Sequence, residues 1–138
     1  MNVTVKAPKK TGVPDSVRAE LEAAVPGRLS AAVAVREHHS RGEGLPDASL
    51  PDLVAFPATT EEVAALVRIC DRAEIPMVAW GTDTSLEGQV TPLAGGLTID
   101  LSGMNRILSV SQASLDCRGE AGVTRIALND YLRDTGLF

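Results

Sequence analysis

PDLVAFPATTEEVAALVRICDRAEIPMVAWGTDTSLEGQ, residues 51–89, decides how this chain folds. Leu53-Val54-Ala55-Phe56 is a short apolar run closed by Pro57, as in a strand buried in a parallel sheet. Thr59-Thr60-Glu61-Glu62 follows as a capping box, in which Thr59 and Glu62 satisfy each other's orphan amides. Val63, Leu66, Val67, Cys70 and Ala73 then recur at helical spacing, which predicts one buried face. Pro76 stops that helix, and Met77-Val78-Ala79-Trp80 is a second apolar run. Strand, helix, strand over residues 53–80 is a βαβ unit, whose crossover is almost always right-handed. It delivers the stretch from Gly81 to Gly88 to the C-terminal edge of the sheet, where ligands of open α/β sheets bind.

Outward from this unit the pattern stays mixed. Gly95-Gly96 turns the chain into Leu97-Thr98-Ile99-Asp100-Leu101, whose period of two predicts a strand with one covered face. Residues 106–110 and 114–120 read as two further short strands of a second, partly antiparallel sheet. Thr124 is placed to cap a last helix, with Val123 and Leu128 as its hydrophobic staple and Gly136 as its C′ residue. On the N-terminal side, Pro14-Asp15-Ser16 opens a helix in which Ser16 is the expected cap and Val17, Leu21 and Ala24 the apolar stripe. Pro26-Gly27 ends it, SAAVAV (30–35) fits a short helix or a strand, and REHHSRGEG (36–44) reads as an exposed loop. The expected fold class is α+β, or mixed α/β, with a small βαβ layer and a second sheet of short strands. Its expected organisation is a flexible tail over 1–14, an N-terminal helix and loop segment over 15–50, and a partial domain over 51–138. Leu137-Phe138 after a helix stop normally begins a further element, so an interrupted domain is expected.

Composition narrows the function classes. The 138 residues are 44% hydrophobic and 22% charged, which suits one globular domain with a real core. A net charge of −5 and four aromatic residues argue against nucleic acid, which needs a basic face or stacking platforms. No apolar run reaches the ~20 residues of a membrane span, and MNVTVKAPKK has no apolar core of a signal peptide. Cys70 and Cys117 make neither a disulfide framework nor a metal cluster; both are expected as core thiols, Cys117 facing inward with Leu115. A reducing, cytoplasmic location is the expectation. His38 and His39, the only histidines, fit solvated or locally hydrogen-bonded side chains better than a metal pair or an acid–base group, since no ligand cluster accompanies them. Asp100, inside a strand, is expected to bond nearby backbone.

The stretch after Trp80 is the candidate site. Glycine lets successive amides converge and lets backbone approach an anion, and Thr82, Thr84 and Ser85 add hydroxyl donors. Neither a Walker loop nor G-x-G-x-x-G is present, so the pattern by itself fits a phosphate cradle or a plain turn.

Taken together, the 51–89 stretch, GGLTIDLSGMNRIL (95–108) and EAGVTRIALNDYLRDTGLF (120–138) resemble the N-terminal FAD-binding region of the FAD-linked oxidases. The likeness is to the p-cresol methylhydroxylase (PCMH) type of flavin domain, in the branch of D-lactate dehydrogenase (cytochrome) and the glycolate oxidase subunit. With AVREHH included it runs from about residue 33 to 138. The resemblance implies FAD as cofactor, clamped between a βα layer and a second sheet, with its pyrophosphate at Gly81, Thr82, Asp83, Thr84, Ser85 and Gly88. It implies oxidation of a 2-hydroxy acid by the complete enzyme, with a missing C-terminal portion as a possible partner in trans. No residue of this chain is expected to be catalytic and none to bind metal. Asp83 stands where the family pattern has glycine, which puts a carboxylate near two phosphate charges. That substitution and the early stop motivate the rival expectation of a truncated, non-catalytic remnant or an interaction module without FAD.

Overall fold

A computed structural model describes residues 12–40, 49–82, 84 and 88–137. Among these residues, four helices and six strands follow in the order α1 (Asp15–Ala24), β1 (Leu29–Ser30), α2 (Val33–His38), β2 (Leu53–Ala55), α3 (Thr60–Arg72), β3 (Met77–Trp80), β4 (Leu97–Asp100), β5 (Ile107–Ser111), β6 (Asp116–Gly119) and α4 (Arg125–Leu132). The sheet order is β1-β2-β4-β3, with β2 and β3 both parallel to β4 and β1 antiparallel to β2; β5 and β6 form a separate antiparallel hairpin. The expected mixed architecture of a parallel layer plus a second small sheet is the one observed.

β2, α3 and β3 occur as the sequence predicts, but the two strands are not neighbours. β4 lies between them, pairing Val54 and Val78 on either side of Thr98. A crossover that skips one position leaves a slot, and the strand entered through Gly95-Gly96 fills it. Gly96 is required there, since its φ is +76° and a Cβ would sit 2.2 Å from the Pro76 carbonyl oxygen. This corrects the one-faced reading of Leu97–Asp100: all four residues are buried. Leu97 and Ile99 face Leu66, Cys70, Leu21 and Val25 of the main core, while Asp100 on the other face meets His39. Burying a leucine such as Leu21, Leu66 or Leu97 contributes ~1.5–3 kcal/mol, so the α1–α3 layer carries much of the stability.

Several local expectations need correction. α1 starts at Asp15 with Pro14 as N-cap and no side-chain cap, so Ser16 is already helical and cannot adopt the extended cap geometry. SAAVAV divides between the end of β1 and the start of α2. The expected REHHSRGEG loop is helical through His38, and His39 and Ser40 are buried; 41–48 lie outside the described residues. Val67 is 40% exposed, because Leu66 and Cys70 take the centre of the α3 stripe. α3 ends before Pro76, with Glu74 at φ 52°, Glu74 N–H on Asp71 O and Ile75 N–H on Cys70 O. This is a Schellman stop with glutamate at the position glycine usually takes. α4 ends at Leu132, two residues before the end at Asp134 that Gly136 as C′ implied. Cys117 is exposed, not inward, because Leu115 turns at φ 54° and sets the phase of β6. Cys70 is a core thiol as expected, and burial pushes its pKa up to about 11.

Arg28 ties β1 to α3. Its guanidinium donates to both Glu62 carboxylate oxygens, at 2.7 and 2.5 Å, and to the Phe56 carbonyl at 3.1 Å. Glu62 also accepts from Ala58 N–H, while Thr59 Oγ1 accepts from Glu62 N–H. Thr59 caps as predicted. The Arg28 hydrogen bonds, then the Ala58 amide, hold the Glu62 carboxyl at about 2. A depressed carboxylate stabilises the fold above its unfolded pKa of ~4.5, and that contribution is lost as pH falls toward 2. Glu62→Gln is therefore expected to lower the melting temperature at pH 6, with the gap to wild type narrowing between pH 4.5 and 2. Thermal melts across that range check this; a gap independent of pH contradicts it.

Candidate functional site

The site is built where the sheet meets the hairpin and α4. The parallel strands β3 and β4 end side by side at Trp80 and Asp100, and Leu101 N–H donates to Trp80 O. Gly81 and Thr82 leave from the first strand, and Ser102 follows the second. Opposite them, the chain leaving β6 runs through Glu120, Ala121 and Gly122 into the Thr124 cap of α4. Between these walls lies a cleft of about 260 Å³ lined by Gly81, Thr82, Ser102, Gly122, Thr124 and Arg125, with Ala121 and Val123 beside them.

Short contacts fix the far wall. Gly122 N–H donates to Met104 O at 2.8 Å, and Glu120 N–H donates to Arg106 O. The Glu120 carboxylate in turn accepts from Arg106 N–H and its guanidinium, which hold that carboxyl below its usual range. The MNRI and EAGVT segments are thus hydrogen-bonded partners.

The lining suits an anion. Thr124 Oγ1 accepts from Ala127 N–H, which leaves the first α4 amides, those of Arg125 and Ile126, without intrahelical acceptors. The positive end of the helix dipole lies at the same point. Arg125 adds a guanidinium with no ion-pair partner among the described residues. A Cβ on Gly81 would meet nothing within 4 Å, so the open space there is available to a ligand. The favourable field is local, since the chain as a whole is acidic.

Of the sequence-predicted site residues, Gly81 and Thr82 line the cleft. Thr84 is joined to Thr82 by a hydroxyl contact of 3.3 Å. Gly88 is buried at φ 74° in a turn whose carbonyl accepts from Thr91 N–H, a shaping position. Asp83 and Ser85 lie outside the described residues. Sequence reasoning missed Ser102, Gly122, Thr124 and Arg125 as site residues. The available signal was a predicted N-cap, Thr124, with glycine two positions before it and arginine directly after it, at a helix start that suits an anion.

His39 was expected to be solvated or locally bonded. It is 3% exposed, with Nδ1 on Val35 O at 2.8 Å and Nε2 on Asp100 Oδ2 at 3.0 Å. Asp100 bonds local backbone as expected, accepting from Ser102 N–H through Oδ1 at 2.8 Å. A groove of about 370 Å³ between the hairpin and α4, lined by Val110, Leu115, Cys117, Leu128 and Leu132, is mainly apolar and unsuited to phosphate. Among the described residues, no group of three or more His, Cys, Asp or Glu side chains is placed to hold a metal ion, and no helix is long and apolar enough to cross a membrane.

A parallel layer with an anion-suited cleft at its strand ends, faced by a second small sheet, is the arrangement of an α/β domain that takes its ligand at the strand ends. Residues 51–138 match the FAD binding domain family, and the chain belongs to it; FAD is its cofactor. The chain is 44% identical over 110 residues to a probable mitochondrial D-lactate dehydrogenase of Danio rerio, covering 80% of this chain and 22% of that protein. It is 37% identical over 90 residues to a mitochondrial D-lactate dehydrogenase (cytochrome) of Arabidopsis thaliana, covering 65% of this chain and 16% of that protein. Among solved structures, p-cresol methylhydroxylase with substrate bound superposes with a TM-score of 0.77 at 20% identity, over 96% of this chain and 27% of that one. That likeness establishes the shared PCMH-type fold. The chain spans about a fifth of the length of the curated relatives it matches.

Proposed function

We propose that this chain is the FAD-binding N-terminal portion of an FAD-dependent 2-hydroxy-acid dehydrogenase of the D-lactate type, and that its cleft holds the FAD pyrophosphate. The observation that carries the reading is the facing of Gly81 and Thr82 across the cleft from Thr124 and Arg125. A space of about 260 Å³ is below the ~300–1,000 Å³ of whole small-molecule sites. It suits one segment of a dinucleotide, with the remainder held elsewhere.

In this reading the helix-start amides and Arg125 bind phosphate oxygens, Thr82 and Ser102 donate hydroxyl hydrogen bonds, and Gly81 admits close backbone approach. Thr84, Ser85 and Gly88 shape the loop, and Asp83 weakens it. Bound FAD supplies the acceptor for a hydride from a 2-hydroxy acid. None of the chain's own residues is assigned to that step; the remainder of such an enzyme, in cis or in trans, is its partner. Two free thiols suit a reducing compartment, cytoplasm or organelle matrix.

FAD titration followed by flavin fluorescence tests the reading. Arg125 is exposed, so its phosphate contact is discounted for solvent to about 1 kcal/mol. That corresponds to roughly fivefold in affinity. Arg125→Ala is expected to weaken FAD by about that factor, and less at high salt. Unchanged affinity in both Arg125→Ala and Gly81→Val would place FAD elsewhere. A chain that binds no FAD at all would favour the non-catalytic module that Asp83 suggests.

A further inference from the structure

We propose that His39 is a positioning residue for the cleft, a buried ring that holds the ends of β3 and β4 in the geometry the FAD pyrophosphate needs. The inference rests on the cleft reading above and concerns residues outside its lining. Three contacts carry it. The Val35 carbonyl can only accept, so Nδ1 of His39 carries a proton. Nε2 lies 3.0 Å from Asp100 Oδ2, and a bare lone pair facing a bare carboxylate there would repel. A proton therefore lies between the two, and the pair is either imidazolium with carboxylate or imidazole with carboxylic acid. Both side chains are buried, at 3% and 7% exposure, where a half-satisfied polar pair is costly.

The clasp reaches both strands behind the near wall of the cleft. Asp100 Oδ1 accepts from Ser102 N–H at 2.8 Å, and Ser102 lines the cleft and presents its carbonyl to Gly122. On its other side the His39 ring packs on Trp80, with centroids 4.5 Å apart, and Trp80 is the residue before Gly81. One ring thus touches the last residue of each strand from which the near wall leaves. α2 delivers it, which gives a role to the AVREHH segment that the cleft itself leaves unused.

The test separates positioning from bulk stability. FAD dissociation constants and melting temperatures are measured on the full chain for His39→Phe, Asp100→Leu and Asp100→Asn, each below its own melting midpoint. His39→Phe keeps the aromatic packing on Trp80 and loses both hydrogen bonds; Asp100→Leu also frees Ser102 N–H. Asp100→Asn keeps an oxygen for Ser102 and offers Nδ2–H to the bare Nε2 of a neutral ring. The expected result is about tenfold weaker FAD binding in the first two and within about twofold of wild type in the third. Amide exchange at Ser102 and Gly122, read without ligand, should quicken in His39→Phe and stay slow in Asp100→Asn. A lower melting temperature with unchanged FAD affinity in His39→Phe overturns the proposal. So does failure of Asp100→Asn to restore affinity. Arg125→Ala, run in parallel, tells the two readings apart: if it weakens FAD while His39→Phe does not, only the positioning role falls, and if neither does, the cleft reading falls with it.

Discussion

Gly122→Ala is expected to lower the melting temperature by roughly 10 °C and to weaken FAD binding more than tenfold. A Cβ at this position would lie 2.2 Å from Leu101 O and 2.9 Å from both Ser102 O and Met104 O. All three are backbone atoms, so no side chain can swing aside. Relief requires the turn after β4 and the strand-to-helix segment to separate by about 1 Å, which also breaks the Gly122–Met104 hydrogen bond. Overpacking costs ~1–3 kcal/mol and the bond about 1. For a domain of this size each 1 kcal/mol is worth roughly 3–5 °C. The φ of Gly122 lies outside the left-handed region, so the cost is space, not backbone conformation. Gly103→Ala is the control, since a Cβ there meets nothing within 4 Å in the same turn. Equal melting temperatures for the two variants, measured by calorimetry, would contradict the close approach of the two walls.

The second large effect is a gain. Asp83 follows Thr82, the last residue of the near wall, directly in sequence. At an effective dielectric of ~20, two unit charges at about 4 Å repel by ~4 kcal/mol before screening and relaxation. A third of that is about 1.4 kcal/mol, roughly tenfold in affinity. Asp83→Gly is therefore expected to tighten FAD binding about tenfold, more at low salt than at high. Asp83→Asn should recover part of the gain, because it removes the charge and keeps the side chain. Isothermal titration at two salt concentrations checks both. No change in either variant would mean that the pyrophosphate does not approach this loop.

What was legible in the sequence was local. The 51–80 run gave its strand, helix and strand, Thr59 and Thr124 declared themselves as caps, and the hairpin was read as two short strands over 106–110 and 114–120. Strand order was not legible, because nothing local to Leu97–Asp100 says that it enters between β2 and β3. Its period of two was real in the residues and misleading in meaning. Thr98 and Asp100 alternate with apolar neighbours, yet face a second buried layer that includes His39. A buried polar pair looks like a solvated face until its partner, 61 positions away, is placed beside it. The site divided in the same way. The glycine and hydroxyl loop after β3 stood out by composition, whereas Ser102, Gly122 and Arg125 join it only through the Met104–Gly122 and Arg106–Glu120 contacts. Cys117 went wrong for a smaller reason, a single left-handed residue at Leu115 that shifts the phase of β6.

The central claim is that FAD enters through the cleft between the β3 exit and the start of α4. Amide mapping of the nitrogen-15-labelled chain during FAD titration tests it most directly. The predicted result is saturable shifts concentrated at Gly81, Thr82, Ser102, Gly122, Thr124 and Arg125, reproduced in part by ADP, which carries the same pyrophosphate. Shifts confined to the hairpin groove around Val110 and Leu128, with the cleft amides unmoved, would contradict it.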